Sequence, residues 1–151
     1  MASKAILQVK GFEDLFEQIQ KAGGSIDRAA DSCLRQSANI MQAELKAQMQ
    51  AAGVDADLIN AMPQPQIEVK GNRYGASVGY PKGSYDPSAP SDGYKVVFLN
   101  YGTPRRTKHG KVKARGFIEK AKKKARPQIK KQQQETLEKI LGGMRNETKA
   151  D

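Results

Sequence analysis

The stretch SIDRAADSCLRQSANIMQAELKAQMQAAG, residues 25–53, decides the fold because it carries the strongest helical pattern in the chain. Ser25 is a favourable N-cap residue, and Gly53 is a favourable residue for ending a helix. Between them, small and apolar side chains recur at helical spacing on one stripe: Ile26, Ala30, Cys33, Leu34, Ser37, Ile40, Met41, Leu45 and Met49. The pattern predicts an amphipathic helix from 26 to about 52, roughly 40 Å long at 1.5 Å per residue.

The only cysteine, Cys33, lies on this apolar stripe. A single cysteine excludes an internal disulfide and a cysteine-based metal cluster, and its position predicts a buried structural thiol. No segment is long and apolar enough for a membrane span, and the start, MASKAILQVKGFED, lacks the apolar run of a signal peptide. We therefore expect a chain that folds in a cytoplasm.

Two shorter patterns precede the long helix. AILQVKG, residues 5–11, fits a short strand, and GFEDLFEQIQKAGG, residues 11–24, fits a short amphipathic helix. In the second stretch, apolar side chains fall at i, i+3, i+4 and i+7, and two glycines follow. The N-terminal quarter of the chain is thus predicted as a strand, a short helix and the start of the long helix.

A hairpin is predicted downstream, in QIEVKGNRYGASVGYP, residues 66–81. Gly71-Asn72 suits a tight two-residue turn, which would pair Lys70 with Arg73 and keep one face of the hairpin apolar. After a proline-rich stretch at 81–93, predicted to be a mobile loop, YKVVFLNYG (94–102) fits a further strand of the same sheet.

The C-terminal part predicts a last helix from about 116 to 141, kinked near Pro127 because proline removes a backbone donor. The expected fold class is α+β: a small antiparallel sheet of three to four strands, packed by a long N-terminal helix and a kinked C-terminal helix. We expect one domain over 1–141, with mobile loops at about 81–93 and 104–115. A flexible tail is expected over 142–151.

The net charge of +10 is concentrated in one block, since residues 105–131 hold thirteen Lys and Arg against a single acidic residue, Glu119. Such a block binds polyanions by releasing counterions, whatever their sequence. Three interpretations remain open: a solvated helix face with a loop, loose contact with nucleic acid, or contact with acidic proteins. Interleaved aromatic residues and sequence-specific DNA-binding motifs are missing, which argues against stacking on single strands and against specific readout.

An enzyme is the least favoured class. The sole histidine, His109, would need an orienting carboxylate to act as a general base, and no phosphate-binding or nucleophile motif is present. Asp55 and Asp57 do not complete a calcium loop and are predicted to cap a short helix. A nuclease-type toxin using His109 with neighbouring cations is kept as a rival hypothesis, but we expect no catalytic residue, cofactor or metal.

The order of the parts resembles a known family. VKGFEDLFEQI (9–19), LNYGTP (99–104) and KARGFIEKA (113–121) are similar to landmarks of the head–tail joining, or tail-completion, proteins of lambda-like long-tailed bacteriophages, a group similar to lambda minor tail protein Z. The resemblance spans roughly residues 6–141. Asn100 stands where the family has an acidic residue, Gly116 stands where it has proline, and AGVDADLINAM (52–62) replaces its stretch after the long helix.

The resemblance implies a structural virion protein that acts at the head–tail junction, in the neck. It would assemble in the host cytoplasm into a homo-oligomeric ring and contact neighbouring neck and tail proteins, with no membrane and only non-specific contact with DNA. The expected turn and helix anchor comprise Tyr101, Gly102, Thr103 and Phe117. The expected basic surface toward a partner or DNA comprises Arg105, Arg106, Lys108, Lys111, Lys113 and Arg115. The alternative is a small basic nucleic-acid-binding protein that uses the 105–131 block.

Overall fold

The computed structural model describes residues 5–8, 13–21, 26–70, 73–81, 88–103 and 111–149. Helices make up 68% of these residues. In chain order the elements are β1 (Ala5–Gln8), α1 (Glu13–Lys21), α2 (Ile26–Ala51), α3 (Ala56–Asn60), β2 (Gln66–Lys70), β3 (Arg73–Val78), α4 (Asp92–Tyr101) and α5 (Phe117–Lys149).

Helices α2 and α5 are the two long elements, and they pack against each other along most of their length. Both bury a stripe in which every fourth residue faces the partner helix. In α2 these are Ala29, Cys33, Ser37, Met41, Leu45 and Met49; in α5 they are Phe117, Ala121, Ala125, Ile129, Gln133, Leu137 and Leu141. Spacing by four is the pattern of helices that interdigitate their i±4 ridges. The bounds of α2, Ile26–Ala51, confirm the helix predicted from 26 to about 52.

The core falls into two apolar clusters at opposite ends of this helix pair. The larger contains residues of α2 from Leu34 to Met49, residues of α5 from Phe117 to Ile129, β3 and Val96 of α4. The smaller joins Ile19 of α1 to the start of α2 and the end of α5. Near the boundary of the two clusters, the side chains of Gln36, Ser37, Gln132 and Thr136 form a polar layer between α2 and α5, in which Ser37 is buried and Gln36 is exposed.

The sheet is centred on the hairpin of β2 and β3, with β1 antiparallel to β3 on its other side. The predicted hairpin register is confirmed, since Lys70 pairs with Arg73, Val69 with Tyr74 and Ile67 with Ala76. Ala76 and Val78 are buried in the larger cluster, so this face of the hairpin rests on α2.

The predicted fold class is wrong in its balance of helix and sheet. Residues 94–102, expected to be a strand, lie mostly in helix α4. Helices therefore dominate the described part of the molecule, and its sheet consists of the short strands β1, β2 and β3. Their β-branched and aromatic side chains favour a strand only weakly. Val96 and Asn100, four residues apart, are the buried pair of α4, which is the spacing of one helix face.

Two local predictions have different outcomes. Asp55 caps α3, as expected, because its carboxylate accepts a hydrogen bond from the Asp57 backbone N–H at 3.2 Å. By contrast, α5 is one continuous helix that contains Pro127 and runs on to Lys149, through most of the segment predicted as a tail. Pro127 and Lys123 are both exposed, so water can satisfy the carbonyl that proline leaves without a partner.

The two predicted mobile loops fall partly outside the described residues, which omit 82–87 and 104–110. Residues 88–91 lead directly into α4, and residues 111–116 form an extended segment that leads into α5. Residues 111–115 of this extended segment belong to the mobile loop that was predicted at about 104–115.

Candidate functional site

The turn after α4 depends on Gly102. Its backbone has φ of 74°, and its N–H donates a hydrogen bond to the Phe98 carbonyl at 2.8 Å, closing the helix. A Cβ placed on Gly102 would lie 2.7 Å from the Val112 oxygen and 2.8 Å from the Ala114 nitrogen. Only glycine therefore lets the extended segment 111–116 pass directly against the end of α4.

Thr103 is hydrogen-bonded to this segment, which follows residues 104–110 in the chain. The Thr103 N–H donates to the Val112 carbonyl at 3.0 Å, and the Val112 N–H donates to the Thr103 hydroxyl oxygen at 3.0 Å. Thr103, one of the expected turn residues, therefore bonds to backbone nine residues further on, and the pair of bonds holds Thr103 and Val112 together.

Asn100, a residue of α4, caps the N-terminus of α5 with its side chain. Its side-chain oxygen accepts a hydrogen bond from the buried Ile118 N–H at 2.8 Å, and its carbonyl accepts one from the Gly116 N–H at 3.0 Å. An N-cap side chain normally makes the first of these bonds, and Gly116 has no side chain to offer. The sequence marks Asn100 only as a departure from the family pattern, so its role as a cap was missed.

Phe117 anchors the start of α5. It is 1% exposed and is a member of the larger apolar cluster, which also contains Ala76 and Val78 of the hairpin and Met49 of α2. The predicted role of Phe117 as the anchor of the last helix agrees with this position. Tyr101, by contrast, is 53% exposed and its hydroxyl lies 3.4 Å from a carboxylate oxygen of Glu119.

Arg115 ties the extended segment to the end of α2. Its Nη1 donates to the carbonyls of Ala52 and Gly53, each at 3.2 Å. The last carbonyls of a helix lack partners within the helix and carry partial negative charge, so a guanidinium is favourable there. Arg115 thus has a structural role in addition to its charge.

These contacts create an open cleft of about 620 Å³ between the end of α2 and the extended segment. We call it the basic cleft, and its lining residues are Gln48, Ala51, Ala52, Leu99, Lys111, Val112, Lys113, Ala114, Arg115, Phe117 and Lys120. Four of these are cations, and no aspartate or glutamate is among them. A second cleft, of about 610 Å³, lies beside the Tyr101–Thr103 turn and shares residues 111–114 with the first.

The positive charge continues from the cleft along α5. Seven Lys and Arg lie between 120 and 131, and no acidic residue occurs between Glu119 and Glu135. All but Lys122, which is half-buried, are exposed. Lys131 Nζ lies 4.0 Å from a carboxylate oxygen of Glu135 at the end of this run.

The structure brings together half of the predicted basic surface. Lys111, Lys113 and Arg115 line one cleft with Phe117, whereas Arg105, Arg106, Lys108 and also His109 lie outside the described residues. Lys120, Gln48 and Ala52 also line the cleft and were not predicted, because nothing in the sequence indicates which end of α2 meets the basic segment.

Cys33 takes no part in this site. Its thiol is fully buried, 3.9 Å from the Gln133 carbonyl, and burial raises its pKa from 9.0 to about 11. The prediction of a buried structural thiol is confirmed. Among the described residues, no three His, Cys, Asp or Glu side chains converge, and no helix combines the length and hydropathy needed to cross a membrane.

Comparison with known proteins yields no relative: no protein family, curated protein or solved structure matches this chain.

Proposed function

We propose that this protein is a structural component of a phage virion that acts at the head–tail junction and assembles through protein–protein contacts. One observation carries the proposal. Two of the three stretches that carry the family resemblance, LNYGTP and KARGFIEKA, supply residues that shape the basic cleft. Gly102 lets the extended segment pass close to α4, Thr103 bonds to it, Arg115 links it to the end of α2 and Phe117 anchors α5. Shared landmarks that together shape one surface are expected where that surface makes the functional contact.

In this role the chain performs no catalytic step. The cleft holds cations on a backbone fastened at several points, so little conformational freedom is lost when a partner binds. Neighbouring neck and tail proteins are the proposed partners, within a homo-oligomeric ring assembled in the host cytoplasm and retained in the virion.

The proposal is tested on particles from a culture that produces the chain. Joined particles, tail-less heads and free tails are separated on a gradient and probed with an antibody against this protein. We expect signal at low copy number in joined particles. Absence from every particle fraction would contradict a virion role.

A charge variant then tests the surface. Lys111→Ala with Lys113→Ala removes two cleft cations without touching the bonds of Arg115. As the control, Lys130→Ala with Lys139→Ala removes two exposed cations of α5 that lie about 15 Å or more along the helix from the cleft residue Lys120. Both variants should retain helical circular dichroism. We expect unjoined heads and tails only with the cleft variant; normal yields of infectious particles from it would contradict the proposed surface.

A second candidate function, non-specific nucleic-acid binding, is favoured by the run of cations on α5. A helix presents one side to a duplex, so about three to four of these side chains can reach phosphates at once. Counterion release then predicts that affinity falls about 40- to 150-fold when salt rises from about 50 to 200 mM. Tight duplex binding with this slope, by a chain absent from particles, would make this the leading function.

A further inference from the structure

We infer that the basic cleft binds an acidic peptide segment of a partner protein, and that this segment places an apolar side chain between the end of α2 and the extended segment 111–116. The inference names the partner chemistry of the surface used in the proposed function, and it rests on that proposal for its biological setting. Its chemistry is testable with the isolated full-length chain.

The rim of the cleft selects for negative charge. Lys111, Lys113 and Lys120 are exposed, and within the described part of the chain they make no ion pair. Arg115 adds a fourth cation, although its guanidinium is already bonded to the carbonyls of the two residues that follow α2. Because no carboxylate lines the cleft, a partner's carboxylates would meet charges that the fold leaves unneutralised.

The apolar floor of the cleft does not favour binding of nucleic acid. The apolar lining side chains that retain exposed surface are Ala51, Ala52, Leu99 and Val112. A duplex presents phosphates and has no apolar side chain to insert there. A single strand would need exposed aromatic rings for its bases to stack on, and the lining aromatic, Phe117, is 1% exposed. The chemistry of rim and floor together fits a carboxylate-rich segment with an apolar anchor.

The size and rigidity of the cleft fit the same occupant. A volume of about 620 Å³ lies within the usual range of binding pockets, roughly 300–1,000 Å³. The wall formed by residues 111–115 is held by bonds from Thr103, Leu99 and the end of α2. A wall that is fixed before binding loses little entropy when the peptide enters.

The first experiment measures binding of three labelled probes to the full-length chain at physiological salt. One peptide consists of glutamates with a central Leu-Phe pair, a second has Ser-Ser in place of that pair, and the third probe is a short DNA duplex. We expect the Leu-Phe peptide to bind most tightly. Equal binding of the two peptides would overturn the inference, since the floor would then contribute nothing.

Variants locate the bound peptide. Lys113→Glu with Lys120→Glu should weaken binding of the Leu-Phe peptide by at least about tenfold. The matched control, Lys130→Glu with Lys139→Glu, makes the same charge change at exposed positions about 15 Å or more along α5 from Lys120. It should leave peptide binding nearly unchanged, because salt screens charges beyond about 8 Å. Equal losses in both pairs would show that only net charge matters and would overturn the assignment to the cleft.

A filling substitution separates peptide from duplex. Ala51→Leu narrows the cleft at an exposed helical position without changing charge. It should therefore weaken binding of the Leu-Phe peptide severalfold and leave binding of the duplex unchanged. If the duplex bound most tightly of the three probes, and Lys113→Glu with Lys120→Glu weakened its binding, the inference would be overturned in favour of nucleic acid. Self-association that the cleft pair abolishes, with neither peptide bound, would overturn it in favour of a second copy of this chain.

The outcome is separable from that of the proposed function. Failure of both peptides to bind, in a chain that is nonetheless present in joined particles, overturns the inference alone. Cleft-dependent binding of the Leu-Phe peptide, in a chain absent from every particle fraction, supports the inference and contradicts the virion role alone.

Discussion

Replacement of Gly102 by alanine should destabilise the protein far more than replacement of Gly53, although both glycines have nearly the same φ. Gly102 has φ of 74° and ψ of −178°, a combination open essentially to glycine alone and costing other residues about 1–3 kcal/mol. Its added Cβ would also lie 2.7 Å from the Val112 oxygen. Gly53 has φ of 72° and nothing within 4 Å of its added Cβ.

The magnitudes follow from these two differences. At Gly102 the backbone strain is joined by overpacking against main-chain atoms, which costs about 1–3 kcal/mol. The lower entropy of the unfolded alanine variant returns about 0.4–1 kcal/mol. The net loss of unfolding free energy is about 3 kcal/mol for Gly102→Ala. For Gly53→Ala it is about 1 kcal/mol, because backbone strain is partly offset by the lower entropy of the unfolded variant and no overpacking is added. In a chain of this size the larger loss lowers Tm by about 6–12 °C.

Urea unfolding followed by helical circular dichroism measures both variants against the unsubstituted chain. Because the contact of Gly102 is with backbone on the wall of the basic cleft, the variant should also bind the Leu-Phe peptide less tightly at a temperature where it is still folded. Equal losses of unfolding free energy in the two glycine variants would refute the reasoning, since the close approach would then have no energetic consequence.

Three further predictions concern polar groups that are buried or half-buried. Asn100→Ala should lower the free energy of unfolding by about 1–2 kcal/mol, because the buried Ile118 N–H loses its acceptor, whereas Asn39→Ala, at an exposed position of α2, should cost nothing in the same denaturation assay. The Cys33 thiol should not react with a disulfide reagent until the chain unfolds, because burial raises its pKa to about 11; rapid reaction in the native state would contradict this. Burial raises the pKa of Tyr80 from 10.0 to about 12, so between these values the folded chain keeps a proton that the unfolded chain has lost. The free energy of unfolding should therefore fall as pH rises through this range, and urea titrations of Tyr80→Phe should lack that part of the slope.

The parts of the fold that could be predicted are those whose signals are local. The helix at 26–51 follows from one apolar stripe between a favourable start and a glycine, and the pairing of Lys70 with Arg73 follows from the side-chain alternation of two adjacent strands. The cap at Asp55 likewise involves a residue only two positions away. Each of these features is specified within a few residues, so tertiary contacts need only agree with it.

Helix α4 shows why the rest could not be predicted. Val96, Val97, Phe98 and Leu99 are typical of a strand by composition, and the sequence alone gives no reason to prefer a helix. The decisive contacts are with residues much further along the chain: Leu99 and Asn100 accept backbone hydrogen bonds from Arg115 and Gly116. A segment whose backbone partners lie outside its own neighbourhood takes its structure from them and not from its propensity.

The basic cleft depends in the same way on how α5 is aligned along α2. In the polar layer between α2 and α5, the Gln132 amide contacts Gln36 and Thr136, and the Ser37 hydroxyl lies 3.3 Å from the Gln132 side-chain oxygen. A slip of one helical turn would move α5 by about 5.4 Å and break these contacts, at a cost of about 0.5–1.5 kcal/mol for each hydrogen bond. The same slip would carry Arg115 away from the end of α2. Gln132 of the polar layer lies about 22 Å along α5 from Phe117 at 1.5 Å per residue, yet its contacts influence which cations reach the rim of the cleft. Substitutions there should therefore alter binding at the cleft without contacting the bound partner.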